Sequence, residues 1–191
     1  MKTTMPLEQA LKIAEYYRDE LAPYCERIEI AGSIRRKKSE VGDIEMVAIP
    51  KFKSISEANL FGERGQYNAL ETVIQEAHQN GMGLIKNGSR YKQLVLPKNI
   101  LGKGSNADVI YMDLFIVLPP SQWGVQLLIR TGPAEFSKKA VTQRRIGGWL
   151  PSDCVVKDGQ VLRNGILIPM SEEEDFLALI GKPGLKPEER M

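Results

Sequence analysis

The sequence predicts an α+β fold: a mixed or antiparallel sheet flanked by helices over residues 1–120, then a smaller α/β lobe over 121–191. Three observations predict it. Leu7, Ala10, Leu11, Ala14, Tyr17 and Leu21 recur at three- and four-residue spacing, the stripe of an amphipathic helix over residues 6–22. Between residues 27 and 118 lie four apolar runs of strand length, interrupted by a single helical stretch. After Pro119-Pro120 the pattern changes to helices and to two Asx-Gly turns.

Taken in order, Pro23 stops the first helix, because proline has no N–H to continue the ladder. Arg27 to Ala31 is a short strand, and Asp43 to Ile49 the next. Residues 56–80 are expected to be mostly helical, with Leu70, Val73, Ile74 and Ala77 as the core stripe and Asn80-Gly81 as the stop. Tyr91 to Leu96 and Val109 to Leu118 read as strands joined by the Gly/Ser/Asn-rich loop 102–106, a hairpin. In the second lobe, residues 121–130 read as a helix. Pro133 is placed to start another, which is expected to reach about Ile146 before Gly147-Gly148. Asp158-Gly159 and Asn164-Gly165 mark turns between short strands. Ser171 to Glu174 caps a last helix through Leu179. The tail from Gly181 is expected to lie extended on the surface.

Composition narrows the function classes. A chain of 191 residues with 42% hydrophobic side chains forms one ordinary domain or two small lobes with a real core. A net charge of +2 excludes a uniformly basic nucleic-acid binder but leaves room for a local basic stripe. Cys25 and Cys154 have no CxxC partner, so both are expected as reduced thiols in a cytoplasmic protein. Met1 to Pro6 runs straight into a polar amphipathic segment, which gives no reason to expect a signal peptide. No apolar run approaches a membrane span.

The densest chemistry lies in residues 31–50. Asp43 and Glu45 open an apolar strand, and side chains at i and i+2 of a strand share a face. Two neighbouring carboxylates repel unless a cation stands between them, and a divalent metal is the usual one. The alternative for such a pair is a solvated strand start. Gly32-Ser33, one loop earlier, offers backbone N–H groups and a hydroxyl to phosphate, or is a simple turn. Asp113 is embedded in the apolar run Val109 to Val117, where an acid is costly unless paired with a buried Lys or Arg or bound to metal. With Asp43 and Glu45 elsewhere in the chain, a three-carboxylate metal site is the expected arrangement. Asp108, at the strand entrance, is the weaker candidate.

Gly32-Ser33-Ile34-Arg35-Arg36 followed by Asp43-Ile44-Glu45 resembles the nucleotidyltransferase superfamily, and specifically the family X DNA polymerases. Asp113-Leu114-Phe115-Ile116-Val117, then Trp123-Gly124 and Thr131-Gly132, is similar to the family's third-acid strand running into its thumb. Glu173 to Leu179 with Pro187-Glu188-Glu189-Arg190 is similar to its final helix and tail. The likeness spans residues 6 to 190 and implies a nucleotidyltransferase palm with a thumb-like lobe, a minimal form without lyase and fingers domains. It implies two Mg²⁺ or Mn²⁺ ions on Asp43, Glu45 and Asp113. Gly32, Ser33, Arg36, Thr131 and Gly132 would contact a nucleoside triphosphate, normally a dNTP. The implied activity is addition of nucleotides to a DNA primer 3′ end with release of pyrophosphate, in gap filling or repair, by a monomer. Transfer to a protein, RNA end or small molecule is the alternative, followed by a non-catalytic nucleic-acid-binding module.

Two departures from the family pattern matter. Glu45 stands where the family usually has aspartate, and its carboxylate reaches one methylene further toward a metal that demands oxygens at about 2.1 Å. Ile129-Arg130 stands where the family often has an aromatic pair packed against the sugar, so weakened sugar discrimination is expected. Lys138, Lys139, Arg144 and Arg145 either form a solvated helix face or track a DNA backbone. Arg35, Lys37 and Lys38 read as a solvated basic loop, and Lys86, Ser89, Arg90 and Lys92 as charge facing template or nucleotide. His78, Trp123 and Trp149 read as structural.

Overall fold

The structure, a computed structural model, describes residues 4–54, 65–97 and 109–190. In chain order the elements are β1 (Met5–Pro6), α1 (Leu7–Leu21), β2 (Cys25–Ile30), α2 (Gly32–Arg35), β3 (Glu40–Val41), β4 (Ile44–Pro50), β5 (Phe52–Ser54), β6 (Gln66–Asn68), α3 (Ala69–Gln79), β7 (Gly83–Asn87), β8 (Tyr91–Leu96), β9 (Ile110–Ile116), α4 (Trp123–Thr131), α5 (Ala134–Val141), β10 (Cys154–Lys157), β11 (Gln160–Arg163), β12 (Ile166–Ile168) and α6 (Glu173–Leu179). The fold is α+β, as expected. Asp108 and the loop 102–106 lie outside the described residues, as does much of the segment expected to form a helix from residue 56.

The central sheet has the order β2-β4-β9-β8-β7. All neighbours are antiparallel except β4 and β9, which run parallel. Strand alternation gives the sheet two unlike faces. Ile44, Met46 and Ala48 of β4, Leu94 and Leu96 of β8, and Met112 and Leu114 of β9 are buried with Ile13, Ala14 and Tyr17 of α1 and with Leu70 and Ile74 of α3. The residues between them face the other way. There, Val47 and Val117 pack with Ala31 and with Trp123 and Leu127 of α4. Each fully buried Leu or Ile stabilises by about 2 kcal/mol, so the register is strongly specified. A slip of one residue would turn Glu45 and Asp113 into the α1–α3 core.

The second lobe has its own buried cluster, including Val125, Leu128, Phe136, Leu150, Val161, Phe176 and Leu177. Its three-stranded sheet is held by the two expected turns. Asp158 and Gly159 both have positive φ, at 52° and 76°, and so do Asn164 and Gly165, at 49° and 82°, as a two-residue hairpin loop of this twist requires. Among the described residues no helix is long and apolar enough to cross a membrane. Cys25 and Cys154 are free and buried, and burial pushes the Cys25 thiol up to about 11.

Several elements differ from expectation. Helix α3 begins only at Ala69, because Gln66–Asn68 pairs with Phe52–Ser54 and Asn68 caps the helix, its Oδ1 accepting from Glu71 N at 3.1 Å. Strand β7 is an addition that the polar Lys86-Asn87 end concealed. Helix α5 stops at Val141. The Thr142 hydroxyl bonds the Lys138 carbonyl at 2.6 Å, and the Gln143 amide is drawn to the Ser152 and Cys154 carbonyls, which pulls the chain out of helical geometry. The cap of α6 is Glu172 with Asp175, one residue later than expected. The tail ends in a single 3₁₀ turn, Pro187–Glu189, and Arg190 is buried.

Candidate active site

Parallel pairing of β4 with β9 makes Glu45 and Asp113 direct partners in the sheet. Both point to the face covered in part by α4, and Asp43 stands in the bend just ahead of β4. Asp113 is oriented from β8. Its Oδ1 accepts from Tyr91 Oη and from Gln93 Nε2, each at 2.9 Å. Gln93 is the antiparallel partner of Asp113, and Tyr91 that of Phe115. The Tyr91 and Phe115 rings stack, with centroids 5.1 Å apart. Burial and the bond to Asp113 push the Tyr91 hydroxyl up to about 12, so it remains a donor.

Glu45 is seated by the Gly-Ser turn. Gly32 has φ +60, and a Cβ built there would lie 1.8 Å from Glu45 Oε2. Glycine is therefore required twice, for the left-handed backbone and for the space that the longer glutamate uses. Burial, then repulsion from Asp43 and Asp113, pushes the Glu45 carboxyl up to about 7, against the attraction of Arg36 and Arg130. The mutual repulsion shows that the three acids sense one another. The donor set is oxygen only, which suits a hard divalent cation such as Mg²⁺ or Mn²⁺. Among the described residues, no group of three or more His, Cys, Asp or Glu side chains is arranged to hold a metal ion. The chemistry of the donors fits a metal, and the side chains do not form a ready-made cage.

The two arginines of the turn both reach the second lobe. Arg36 Nη1 donates to the Thr131 carbonyl, and a Cβ on Gly132 would lie 3.0 Å from that nitrogen. Burial holds the Arg36 guanidinium below its usual proton affinity, with Glu45 opposing and Arg190 adding repulsion. Arg36 Nε and Ser33 Oγ are buried without a hydrogen-bond partner. Arg35, expected in a solvated loop, is instead a fastener. It donates to Thr131 Oγ1 at 2.7 Å and to both Glu173 oxygens at 2.8 and 2.7 Å. Arg190 Nη1 donates to the same carboxylate at 2.7 Å. Burial works against the charge of Glu173, yet these two guanidinium groups outweigh it and hold its carboxyl below the usual range. Arg27 adds a bidentate pair to Glu172 at 2.6 and 2.8 Å, and Lys37 a pair to Glu188 at 2.7 Å.

The remaining basic residues divide. Lys138, Lys139, Arg144 and Arg145 are exposed. The first two lie on α5 and the last two on the following 3₁₀ turn, so the four do not form one helix face. Lys92 is a second correction. It faces away from the acids, is 1% exposed, and donates to Glu71 at 2.9 Å and to Asn87 Oδ1. Arg90 donates to the Leu118 and Pro119 carbonyls at 2.7 and 2.6 Å. His78 Nδ1 lies 2.8 Å from the Met82 carbonyl, a structural place. Trp123 is buried under Arg27, and Trp149 packs edge-on to Phe136.

Sequence reading missed Tyr91 and Gln93. Their signal was available: they stand two apart, and so share one face of a strand that ends in Leu94-Val95-Leu96, and an amide in such a strand needs a partner. No family model matches the chain, and no curated protein matches its sequence.

Proposed function

We propose that this chain is a metal-dependent nucleotidyltransferase with a palm-like sheet and a thumb-like second lobe, which extends a DNA primer 3′ end and releases pyrophosphate. The observation that carries the reading is the in-register pairing of Glu45 with Asp113 across β4 and β9, with Asp43 in the bend just ahead of β4 and Glu45 seated against Gly32 of the Gly-Ser turn. Asp43, Glu45 and Asp113 are the residues that would hold divalent ions. Such ions would supply charge stabilisation to the attacking and leaving oxygens of an in-line displacement at the α-phosphate. The protein's own part is orientation. Tyr91 and Gln93 fix the Asp113 carboxylate, and Gly32 leaves the space that the Glu45 carboxylate occupies. Ser33 Oγ and Arg36 Nε bring unpartnered donors to the same turn, where a triphosphate needs them. Thr131 and Gly132 close that turn from the second lobe. The exposed Lys138, Lys139, Arg144 and Arg145 favour a polyanionic acceptor, DNA, over a protein or small molecule.

The test offers primer-template, gapped and single-stranded DNA, with dNTPs or NTPs and Mg²⁺ or Mn²⁺, to the wild type and to Asp113→Ala. Template-matched extension that needs metal and is lost in the variant is the expected result. Labelling of another acceptor would move the reading to that acceptor class. A protein that shifts DNA but transfers nothing under any condition would overturn it.

A further inference from the structure

Arg130 is the residue that the acid cluster did not call for in the sequence. It is three residues after Leu127, so it shares the face of α4 that lies on the sheet. Its guanidinium carbon stands 4.0 Å from the centroid of the Phe115 ring. Phe115 is two residues beyond Asp113 on β9, on the same face, and stacks with Tyr91, whose hydroxyl holds Asp113. The side chain is therefore docked on an aromatic platform built from the strands that carry the acids. Its Nε is buried and has no hydrogen-bond partner. Burial opposes its charge, while Glu45, Tyr91 and Asp113 act together in its favour.

Three facts follow from ordinary chemistry. A guanidinium stays protonated and cannot ligate a metal. It is weakly hydrated, so it tolerates a half-buried aromatic seat better than an ammonium does. A positive charge that attracts Glu45 and Asp113 also repels a divalent cation approaching the same oxygens.

We propose that Arg130 is the resident counter-ion of this site: it neutralises Glu45 and Asp113 in the metal-free protein and competes with the divalent ion for them. The inference rests on the metal-site reading and deepens it. Arg130 acts through space from its seat on Phe115 and thereby sets the metal concentration at which the site loads.

The test measures Mn²⁺ binding by calorimetry and by electron paramagnetic resonance, on the full chain without nucleotide. The variants are Arg130→Met, Arg130→Lys and Asp113→Asn. Arg130→Met is expected to bind Mn²⁺ at least about tenfold more tightly than the wild type, a gain of about 1.4 kcal/mol. Arg130→Lys keeps the charge and is expected to stay within about threefold of the wild type. Asp113→Asn is expected to lose binding. A second readout needs no metal. In chelator, Arg130→Met is expected to lower Tm by about 3 °C, and the loss should vanish when Asp113→Asn is added, because the counter-ion then has less to neutralise. If Arg130→Met binds Mn²⁺ no more tightly than the wild type while Asp113→Asn abolishes binding, the counter-ion role is overturned and the metal site stands. If no variant alters Mn²⁺ binding, the metal-site reading fails. The competition fails with it, and an additive double variant in chelator overturns the neutralising role as well.

Discussion

Both faces of the central sheet carry ionisable side chains, and the fold treats them in opposite ways. On the α1–α3 face, Lys92 is 1% exposed and is met by the opposite charge of Glu71 and the Asn87 amide oxygen. On the α4 face, Glu45 and Asp113 stand beside each other in register with Asp43 close by, and the proton affinity of Glu45 rises to about 7. A buried charge with its complement in place does structural work. Like charges gathered on one face lose stability unless something else arrives, and that is the mark of a binding or reacting site.

The sharpest way to break this contrast is to neutralise one charge on each face. Asp113→Asn keeps an oxygen for Tyr91 and Gln93 to donate to, so the fold should hold. Nucleotidyl transfer is expected to fall by about 10³-fold, the scale of losing a group that stabilises the transition state. Lys92→Met should do the reverse. It removes the cation from Glu71, which is 37% exposed and partly rescued by water, and from Asn87, and is expected to cost about 1–2 kcal/mol of stability while the folded fraction keeps its kcat. Denaturant titration and single-turnover assays on both variants decide the matter. A stable Lys92→Met, or an active Asp113→Asn, would erase the distinction between the faces.

Glycines give the next test. Gly81 lies near the α1–α3 side with φ +100 and open space where a Cβ would go. Gly32 has φ +60 and the Glu45 carboxylate in that space. Alanine at either position is strained by about 1–2 kcal/mol. Only Gly32→Ala must also displace Glu45, so it alone is expected to lose about 10²-fold in transfer, with Gly81→Ala near wild type. Equal activity in the two variants would detach Glu45 from the reaction.

The pH dependence carries a definite sign. Glu45 has a folded proton affinity above the ordinary carboxyl value of 4.5. The folded state therefore binds more protons than the unfolded state between about pH 4.5 and 7, and stability must fall as pH rises through that window. In chelator, the urea midpoint is expected to be higher at pH 5 than at pH 8, and Glu45→Gln should flatten this part of the profile. Glu173 acts in the opposite sense, since its lowered proton affinity removes stability only as pH drops below the carboxyl range. A midpoint that rises from pH 5 to pH 7 in the wild type would contradict the crowding of the acids.

Local chemistry made the first half of this site legible. Strand alternation placed Asp43 and Glu45 together, and the cost of an acid in an apolar strand singled out Asp113. Pairing order was not legible. Nothing local says that β9 lies parallel to β4, and that pairing alone makes Glu45 and Asp113 neighbours. The same blindness hid the fasteners. Arg35 reads as a basic loop until the fold brings Glu173 to it across 138 residues of chain, with Arg190 on the same carboxylate. Lys92 reads as one more cation beside Arg90 until β8 turns it toward α3. The helix expected to carry all four basic residues failed on a detail of side-chain competition at Thr142 and Gln143, which periodicity does not weigh.

The mildest test sharpens the orienting role of β8. Tyr91→Phe keeps the stack on Phe115 and removes a single hydrogen bond to Asp113, while the bond from Gln93 remains. A hydrogen bond to a charged group is worth about 1.5–3 kcal/mol, and Asp113 keeps one of two on the same oxygen. The expected fall in kcat is therefore about fivefold to tenfold, with Tm nearly unchanged. Adding Gln93→Leu should cost more than the product of the single effects, because the Oδ1 atom of the carboxylate then loses both of these hydrogen bonds and turns freely. Metal titration separates orientation from affinity. A lost orientation lowers kcat at saturating metal, whereas a lost ligand shifts only the metal concentration required, and the tyrosine is expected to behave as the first.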